Sequence, residues 1–349
     1  MKKYITLGEV CEKGSSTLMQ KDLSLGNGPY KIYGASGLLG TVDFYKQEKE
    51  YIGIVKDGAG VGRAMLLPEK SSCIGTMQYL IPRENINVRF LFYAIESMNL
   101  AKYNTGATIP HIYFKDYKKE VLPLIDIQEQ QKIAHLLDKI RSLISYRQSQ
   151  LQHFDDLVKS QFIEMFEKRE FDVLFFGDLC EFLRNGANIK QSKGAGGYPI
   201  TRIETLSNDV FNANRLGYAD ITDLDRYQGY LLHEGDILIS HINSIAYLGR
   251  AVQYRGELDL PVIHGMNLLC ARLKKSVLPD YIEAYFRTKK AKEYISTITK
   301  KAVNQASITI TDLKKMKVPV PPIELQSEFA HFVEQTDKSK IPFEMEVAA

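Results

Sequence analysis

The apolar positions of residues 127–168 recur at helical spacing, over a stretch with neither Gly nor Pro. Leu137, Ile144, Leu151, Val158 and Met165 fall every seventh residue, and Ile133, Ile140 and Phe154 hold companion positions four residues ahead of that row. Two apolar rows on a seven-residue repeat predict a long helix with a coiled-coil seam. Arg147 and Gln161 interrupt the companion row, and polar seam residues set register at some cost in stability. At 1.5 Å per residue the segment predicts a rod of about 63 Å, long enough to act as a spacer. Asp126 is placed to cap its N-terminus, just after Pro123.

On either side the periodicity shortens. Residues 1–125 carry β-branched and aromatic runs, Tyr51–Val55 and Met77–Ile81, that predict strands, and Val88–Met98 predicts a helix. Gly26-Asn27-Gly28, Gly34, Gly37, Gly40, Gly58-Ala59-Gly60 and Gly62 punctuate that region with turns. Residues 169–322 repeat the grammar, with strands predicted at Gly235–Ser240 and Met266–Cys270 and a helix over Tyr281–Ile298. In residues 323–349 a second helix starts like the first, with Phe329, Phe332 and Val333 matching Ile133, Leu136 and Leu137. Thr336 and Lys340 then replace the apolar row, and Pro342 predicts that this helix stops short.

The matching grammar is a duplication. Pro123, Ile127, Gln130, Ala134 and His135 recur 196 positions later as Pro319, Ile323, Gln326, Ala330 and His331, and Asp116 and Lys118 return as Asp312 and Lys314. Near the other end of each unit, Leu7-Gly8-Glu9-Val10-Cys11-Glu12 reappears as Phe176-Gly177-Asp178-Leu179-Cys180-Glu181. So long a period is a tandem pair of domains rather than a solenoid. Ends that match around middles that differ predict one frame holding two different readers. The expected organisation is 1–125 first domain, 126–168 spacer helix, 169–322 second domain, and 323–349 second helix, shortened.

Composition narrows the class. Charged residues at 25% and apolar residues at 44% predict a globular protein with an ordinary core in each domain. The opening MKKYITLGEVCEKG has no apolar leader core and no run of 18 apolar residues follows, which predicts a cytoplasmic location without a membrane span. Cys11, Cys73, Cys180 and Cys270 show no metal or redox spacing and are expected as buried free thiols. A net charge of +3 does not announce a nucleic-acid binder, but Lys289, Lys290, Lys292, Lys300, Lys301, Lys314, Lys315 and Lys317 crowd one segment. That run is either a solvated face or a phosphate-tracking surface.

Motifs for chemistry are imitated rather than met. Asn27-Gly28-Pro29-Tyr30 lacks the first proline of an adenine-binding Asn-Pro-Pro-Tyr loop and fits a glycine turn. Asp57-Gly-Ala-Gly-Val-Gly-Arg63 puts Arg63 where a dinucleotide loop needs glycine, and no Gly-Lys-Ser/Thr exists for a P-loop. Asp116-Tyr117-Lys118 and Asp312-Leu313-Lys314 copy the end of a nuclease site but have no consistent upstream acid, so a capping or turn role is expected. The seven histidines form no zinc pattern, and neither a catalytic set nor a metal site is expected.

One tract carries a resemblance. Thr105-Gly-Ala-Thr-Ile-Pro-His-Ile-Tyr-Phe-Lys-Asp116, followed by Val121-Leu-Pro-Leu-Ile-Asp-Ile-Gln-Glu-Gln130 and Ile133-Ala134, resembles the specificity (S) subunit of type I restriction-modification enzymes. Ile308–Asp312, Val318–Gln326 and Phe329-Ala330 look like a second copy of that signature, and the resemblance covers essentially the whole chain. It implies an α+β fold, with two similar target recognition domains in tandem separated by long conserved helices in an antiparallel, pseudo-twofold coiled coil. It implies a non-catalytic subunit that reads a bipartite site in double-stranded DNA and directs adenine methylation or cleavage by partners. Those partners would be two methyltransferase subunits and restriction/translocase subunits, which would hold S-adenosylmethionine, ATP and Mg, leaving no cofactor in this chain. The departure from the family is the short second helix, which would weaken closure or leave an incomplete docking surface.

Base and phosphate reading needs basic, amide and hydroxyl side chains on exposed loops. The first domain offers Lys31, Tyr33, Ser36, Lys56, Arg63, Thr76 and Thr108. The second offers Lys193, Arg202, Arg215, Ser240, His241, Asn243, Ser244, Asn267, Lys301, Asn304 and Gln305. For the helix seam and partner docking the candidates are Ile133, Leu137, Ile140, Ile144, Leu151, Phe154, Val158, Phe329 and Val333. Two rival readings predict different behaviour: a self-contained methyltransferase or nuclease would bind S-adenosylmethionine by itself, and a bare scaffold would bind all DNA equally.

Overall fold

The computed structural model describes residues 4–106, 108–192, 196–207, 209–301 and 305–348, without the side chains of Ser192 and of 341–348. The chain divides into two compact units, Met1–Tyr146 and Arg147–Ala349.

In the first unit, β1 (Cys11–Ser15), β2 (Tyr51–Val55), β3 (Ala64–Leu67) and β4 (Met77–Pro82) form an antiparallel sheet in the order β1-β4-β2-β3. Every residue of β2 is buried, and strand alternation sends its side chains into two different cores. Ile52 and Ile54 join Leu7, Leu80 and Leu91 on one face. Tyr51 and Val55 join Met77 and Tyr79 on the other. Leu91 comes from helix α1 (Val88–Ser97), which starts where Asn87 Oδ1 accepts hydrogen bonds from Arg89 N and Phe90 N, both at 3.0 Å.

The second unit repeats this sheet with different residues. β5 (Cys180–Asn185), β6 (Ile237–Ile239), β7 (Ala251–Gln253) and β8 (Leu269–Leu273) run in the order β5-β8-β6-β7, again antiparallel. Ile237, Ile239 and Leu269 face one core while Leu238 and Cys270 face another. The turns into the two sheets also match. Leu7 N donates to Glu120 O and Phe176 N to Met316 O, each at 2.8 Å. The Cys11 thiol donates to Leu7 O at 3.1 Å and the Cys180 thiol to Phe176 O at 3.2 Å. All four cysteines are free and buried, as expected, and burial pushes the Cys11, Cys73 and Cys180 thiols up to about 12.

Three expected elements differ. The strand placed at Met266–Cys270 begins instead at Leu269, because Met266 and Asn267 make the turn that leads into it. The strand expected over Gly235–Ser240 contracts to Ile237–Ile239. The helix expected over Tyr281–Ile298 is two helices, α3 (Pro279–Phe286) and α4 (Lys289–Ile298). Thr288 breaks them apart: its hydroxyl accepts from Ala291 N at 3.2 Å and caps α4.

The long helix, α2, spans Ile127–Phe162, with Asp126 Oδ1 accepting from Glu129 N at 2.9 Å as its cap. It does not run as regular α-helix to residue 168; Ile163–Glu167 form a π-helical turn. Nor is its seven-residue row one covered seam. Ile133 packs on the first core and Val158 on a core of the second unit, and Leu137, Leu151 and Phe154 are half-buried. Between them Ile140 is 44% and Ile144 42% exposed. Periodicity reports a face, while cover depends on what lies opposite.

The last helix, α5 (Ile323–Ala348), runs antiparallel to the end of α2: Phe329 meets Phe162 and Phe166 with ring centroids 5.5 Å apart, and Lys340 Nζ meets Asp155 at 2.9 Å. Phe329 and Val333 are buried in this pairing. The expected stop at Pro342 is overturned, since α5 continues to Ala348. Proline's fixed φ suits a helix, so the chain can pass through it at the loss of one backbone hydrogen bond. Thr336 and Lys340 do not end the pairing either. Thr336 is buried with its hydroxyl bonded to Phe332 O at 2.8 Å, and Lys340 reaches across to Asp155.

Candidate nucleic-acid interface

Both sheets end in the same pair of laced loops. In the first unit Val55 N donates to Arg63 O at 3.0 Å and Gly62 N returns to Val55 O at 2.8 Å. In the second, Ser240 N donates to Arg250 O and Gly249 N to Ser240 O, both at 2.8 Å. A second loop is stitched alongside: Ile112 N donates to Lys56 O, and Ile308 N to His241 O, each at 3.0 Å. These bonds make Val55 and Ser240, Lys56 and His241, and Arg63 and Arg250 equivalent places in one frame. A tight turn closes each first loop, with Gly62 at φ +86° and Gly249 at φ +75°. A Cβ on Gly62 would come within 2.4 Å of Ala101 N, so only glycine allows that approach.

The edge of the first unit gathers five of its seven sequence candidates. Lys56 N donates to Thr76 O at 3.0 Å. Arg63 donates to Ala35 O, which ties the exposed Ser36 turn to the loop. Thr108 is exposed on the second loop. That loop is pinned: Asn104 Oδ1 accepts from His111 N at 2.9 Å, Thr105 N donates to His111 O at 3.0 Å, and Gly58 N donates to Pro110 O at 2.9 Å. The carboxylate of Asp57 holds both Lys56 and His111. Tyr33 is half-buried against the Tyr51–Tyr79 core, where burial raises its phenol pKa. Lys31 is exposed two residues farther back on the same strand, Tyr30–Gly34.

The second edge is built differently on the same bonds. Ser240 and His241 occupy the places of Val55 and Lys56; both are buried, whereas Lys56 is half-buried, and burial alone pulls the His241 imidazole below its ordinary pKa. Asn243 braces the loop, donating to Ser240 Oγ at 3.1 Å and accepting from Ser244 N at 2.8 Å. Ser244, Lys301 and Gln305 are exposed at the edge. Asn267 matches Thr76, since Ile54 pairs with Gln78 and Ile239 with Leu269 two residues on. Arg202 and Arg215 belong to another turn, where Thr205 Oγ1 donates to Arg215 O at 3.3 Å. Lys193 and Asn304 lie outside the described residues.

Several edge residues were not among the candidates. Arg250 stacks on Tyr247 at 4.8 Å, pairs with Asp209 at 2.7 Å and donates to Leu206 O at 3.2 Å. Beside it is a cleft of about 360 Å³ rimmed by Arg287, Lys292 and Lys301. Ile109 in the first unit, and Ile245 and Tyr247 in the second, are exposed aliphatic or aromatic side chains at the loop tips. A sequence signal for the arginines exists: Gly62-Arg63-Ala64 recurs as Gly249-Arg250-Ala251.

The two nuclease-like triplets are structural. Thr309 Oγ1 donates to Asp312 Oδ2 at 2.6 Å while accepting from Asp312 N at 3.1 Å, which caps Ile310–Lys314. Lys118 O accepts from Gly8 N at 2.9 Å, closing the matching turn of the first unit. Among the described residues no three His, Cys, Asp or Glu side chains could hold a metal ion, and no helix is long and apolar enough to cross a membrane. Each edge offers cations, amides, hydroxyls and one or two apolar tips, a set suited to phosphates and base edges.

Known proteins match this architecture. A chain described as the S subunit of a type I restriction-modification system from M. genitalium superposes with a TM-score of 0.63, covering 100% of this chain and 92% of that one at 16% identity. A Methanocaldococcus jannaschii protein described as the type I restriction enzyme MjaX specificity subunit is 40% identical over 169 residues, 48% of this chain and 40% of that protein. The type I restriction enzyme EcoKI specificity subunit of Escherichia coli K12 is 24% identical over 256 residues, 68% of this chain and 54% of that protein. The chain thus spans about half the length of these two relatives. The family model for the type I restriction modification DNA specificity domain matches twice, over residues 2–153 and 168–347, and this duplicated chain belongs to that family.

Proposed function

We propose that this chain is the non-catalytic DNA-reading subunit of a type I restriction-modification complex, each compact unit reading one half of a bipartite double-stranded target. The observation that carries the reading is the pair of equivalent loop edges. The same backbone hydrogen bonds hold Lys56 and Arg63 in one unit and His241 and Arg250 in the other, in loops that also carry Ile109 and Ile245. One frame with two side-chain sets is what reading two different half-sites requires. Modest net charge suits such a subunit, because partners share the phosphate contacts.

In this reading two methyltransferase subunits dock on the helices and recognition domains, and restriction/translocase subunits join them in the cytoplasm. S-adenosylmethionine, ATP and Mg belong to those partners, and this chain supplies no cofactor site. The open stretch of α2 around Ile140 and Ile144 is the apolar surface offered to them.

The test is methylome sequencing of a methylation-free host that carries this chain with its cognate methylating subunit. The expected result is a modified bipartite motif in which only one half changes when residues 1–125 are exchanged for those of a relative. An assembled complex that methylates no defined motif, or binds every duplex equally, overturns the reading. S-adenosylmethionine binding by the isolated chain would favour an enzyme instead.

A further inference from the structure

Each edge carries a strongly exposed isoleucine on one of its loops. In the first unit Ile109 stands 67% exposed on the second loop, while the first loop facing it is the side-chain-poor Gly58-Ala59-Gly60. In the second unit Ile245 is 61% exposed on the first loop. The two loops are laced together in both units: Gly58 N bonds to Pro110 O in one, and Ile242 and Asn243 pair with Ser307 and Ala306 in the other. Among the described residues Ile109 and Ile245 are thus the isoleucines that stand farthest out of the two edges, one on a second loop and one on a first.

Backbone hydrogen bonds brace both loops. The Ile109 loop is closed by the Asn104, Thr105 and Gly58 bonds and by the Asp57–His111 contact. The Ile245 turn is closed by Tyr247 N donating to Ser244 O at 3.0 Å, and Tyr247 is held under the Arg250 guanidinium. Burying such a side chain is favourable, so a braced loop that keeps it in water suits an apolar contact made on binding. Lys301 lines one cleft together with Ile245, and Arg63 belongs to the first loop of the other edge, so the partner surface is anionic around an apolar spot. On duplex DNA the apolar group that base edges present is the thymine 5-methyl, in the major groove.

We propose that Ile109 and Ile245 each contact the 5-methyl group of a thymine in their own half-target, making them specificity-determining residues. The inference rests on the DNA-reading function proposed above. It deepens that reading by naming the chemistry at one position of each half-site.

The experiment uses the assembled complex with its methylating subunit and duplexes carrying the motif found by methylome sequencing. Thymines are replaced one at a time by deoxyuridine, which removes only the methyl. The native complex should lose about fourfold or more in affinity at one thymine in each half, the value of one buried methyl. Ile109→Ala should bind the thymine duplex more weakly and become indifferent to deoxyuridine in the first half alone, and Ile245→Ala in the second half alone. Indifference of the native complex to every replacement, or undiminished methyl sensitivity in both variants, overturns the inference and leaves sequence reading intact. So does DNA bending that falls with Ile109→Ala without any methyl dependence, which marks a wedge between base steps. Equal binding to all duplexes overturns the underlying reading itself.

Discussion

Gln130 Oε1 accepts a hydrogen bond from Asn87 N at 2.9 Å, tying the start of the long helix to the cap of the helix on the sheet. Its Nε2 donates to Ile125 O at 2.9 Å and Asn85 O at 3.2 Å. Gln326 repeats the clamp with Leu278 N at 2.8 Å, Pro321 O at 2.7 Å and Ser276 O at 3.4 Å. The duplicated glutamine is thus a joint between each reader and its helix, and both copies are buried.

Truncating the joint leaves partly buried backbone groups without partners. Gln326→Ala should destabilise the second unit by about 2–4 kcal/mol. Gln130→Ala should do the same to the first unit. Urea unfolding monitored in each unit checks this, and a loss under about 0.5 kcal/mol would show that water replaces the amide.

Phe329 is fully buried between Phe162 and Phe166. Removing its ring opens a cavity where α5 meets α2, and Phe329→Ala should cost about 3–5 kcal/mol. Thermal unfolding measures the cost. Exchange of the amides around 323–340 should accelerate together, because the helix loses its main anchor.

The pH dependence should report on His264. Its Nε2–H donates to Leu268 O at 2.9 Å, and burial pulls its pKa from 6.5 to about 4. Above pH 6.5 the folded and unfolded chains are both neutral here, and nothing is lost. Below it the unfolded chain takes up the proton first, so stability falls by up to about 1.4 kcal/mol per pH unit until about pH 4. His241, lowered by burial too, acts with the same sign, whereas Glu257 and Glu283, raised by burial, act with the opposite sign. The difference in slope between native protein and His264→Gln isolates the one group, and equal slopes would contradict the assignment.

The thiols should be silent. With Cys11, Cys73 and Cys180 buried and their pKa values near 12, a thiol reagent at pH 8 should label none of them within minutes in the folded protein, and all after unfolding. Rapid labelling of a folded Cys180 would show that the turn at Phe176 opens.

Repeats and local elements were readable along the chain. The duplicated Gln130 and Gln326, the uninterrupted heptad row and the Asp126 cap announced two units and a long helix, because helix periodicity and caps are properties of neighbouring residues. Arg63 and Arg250 were half legible: the repeated Gly-Arg-Ala marks them both, yet only Arg63 stood out beside its glycines. Pairing across distance came from the packing alone. Nothing near Thr336 or Lys340 in the chain says that a carbonyl of the same helix and Asp155 of another satisfy them, so a polar seam read as a helix end. Nothing near Ser240 says that its neighbours bury it while Ile245 is held out in water. Burial is set by the element that packs opposite, and that element lies tens of residues away.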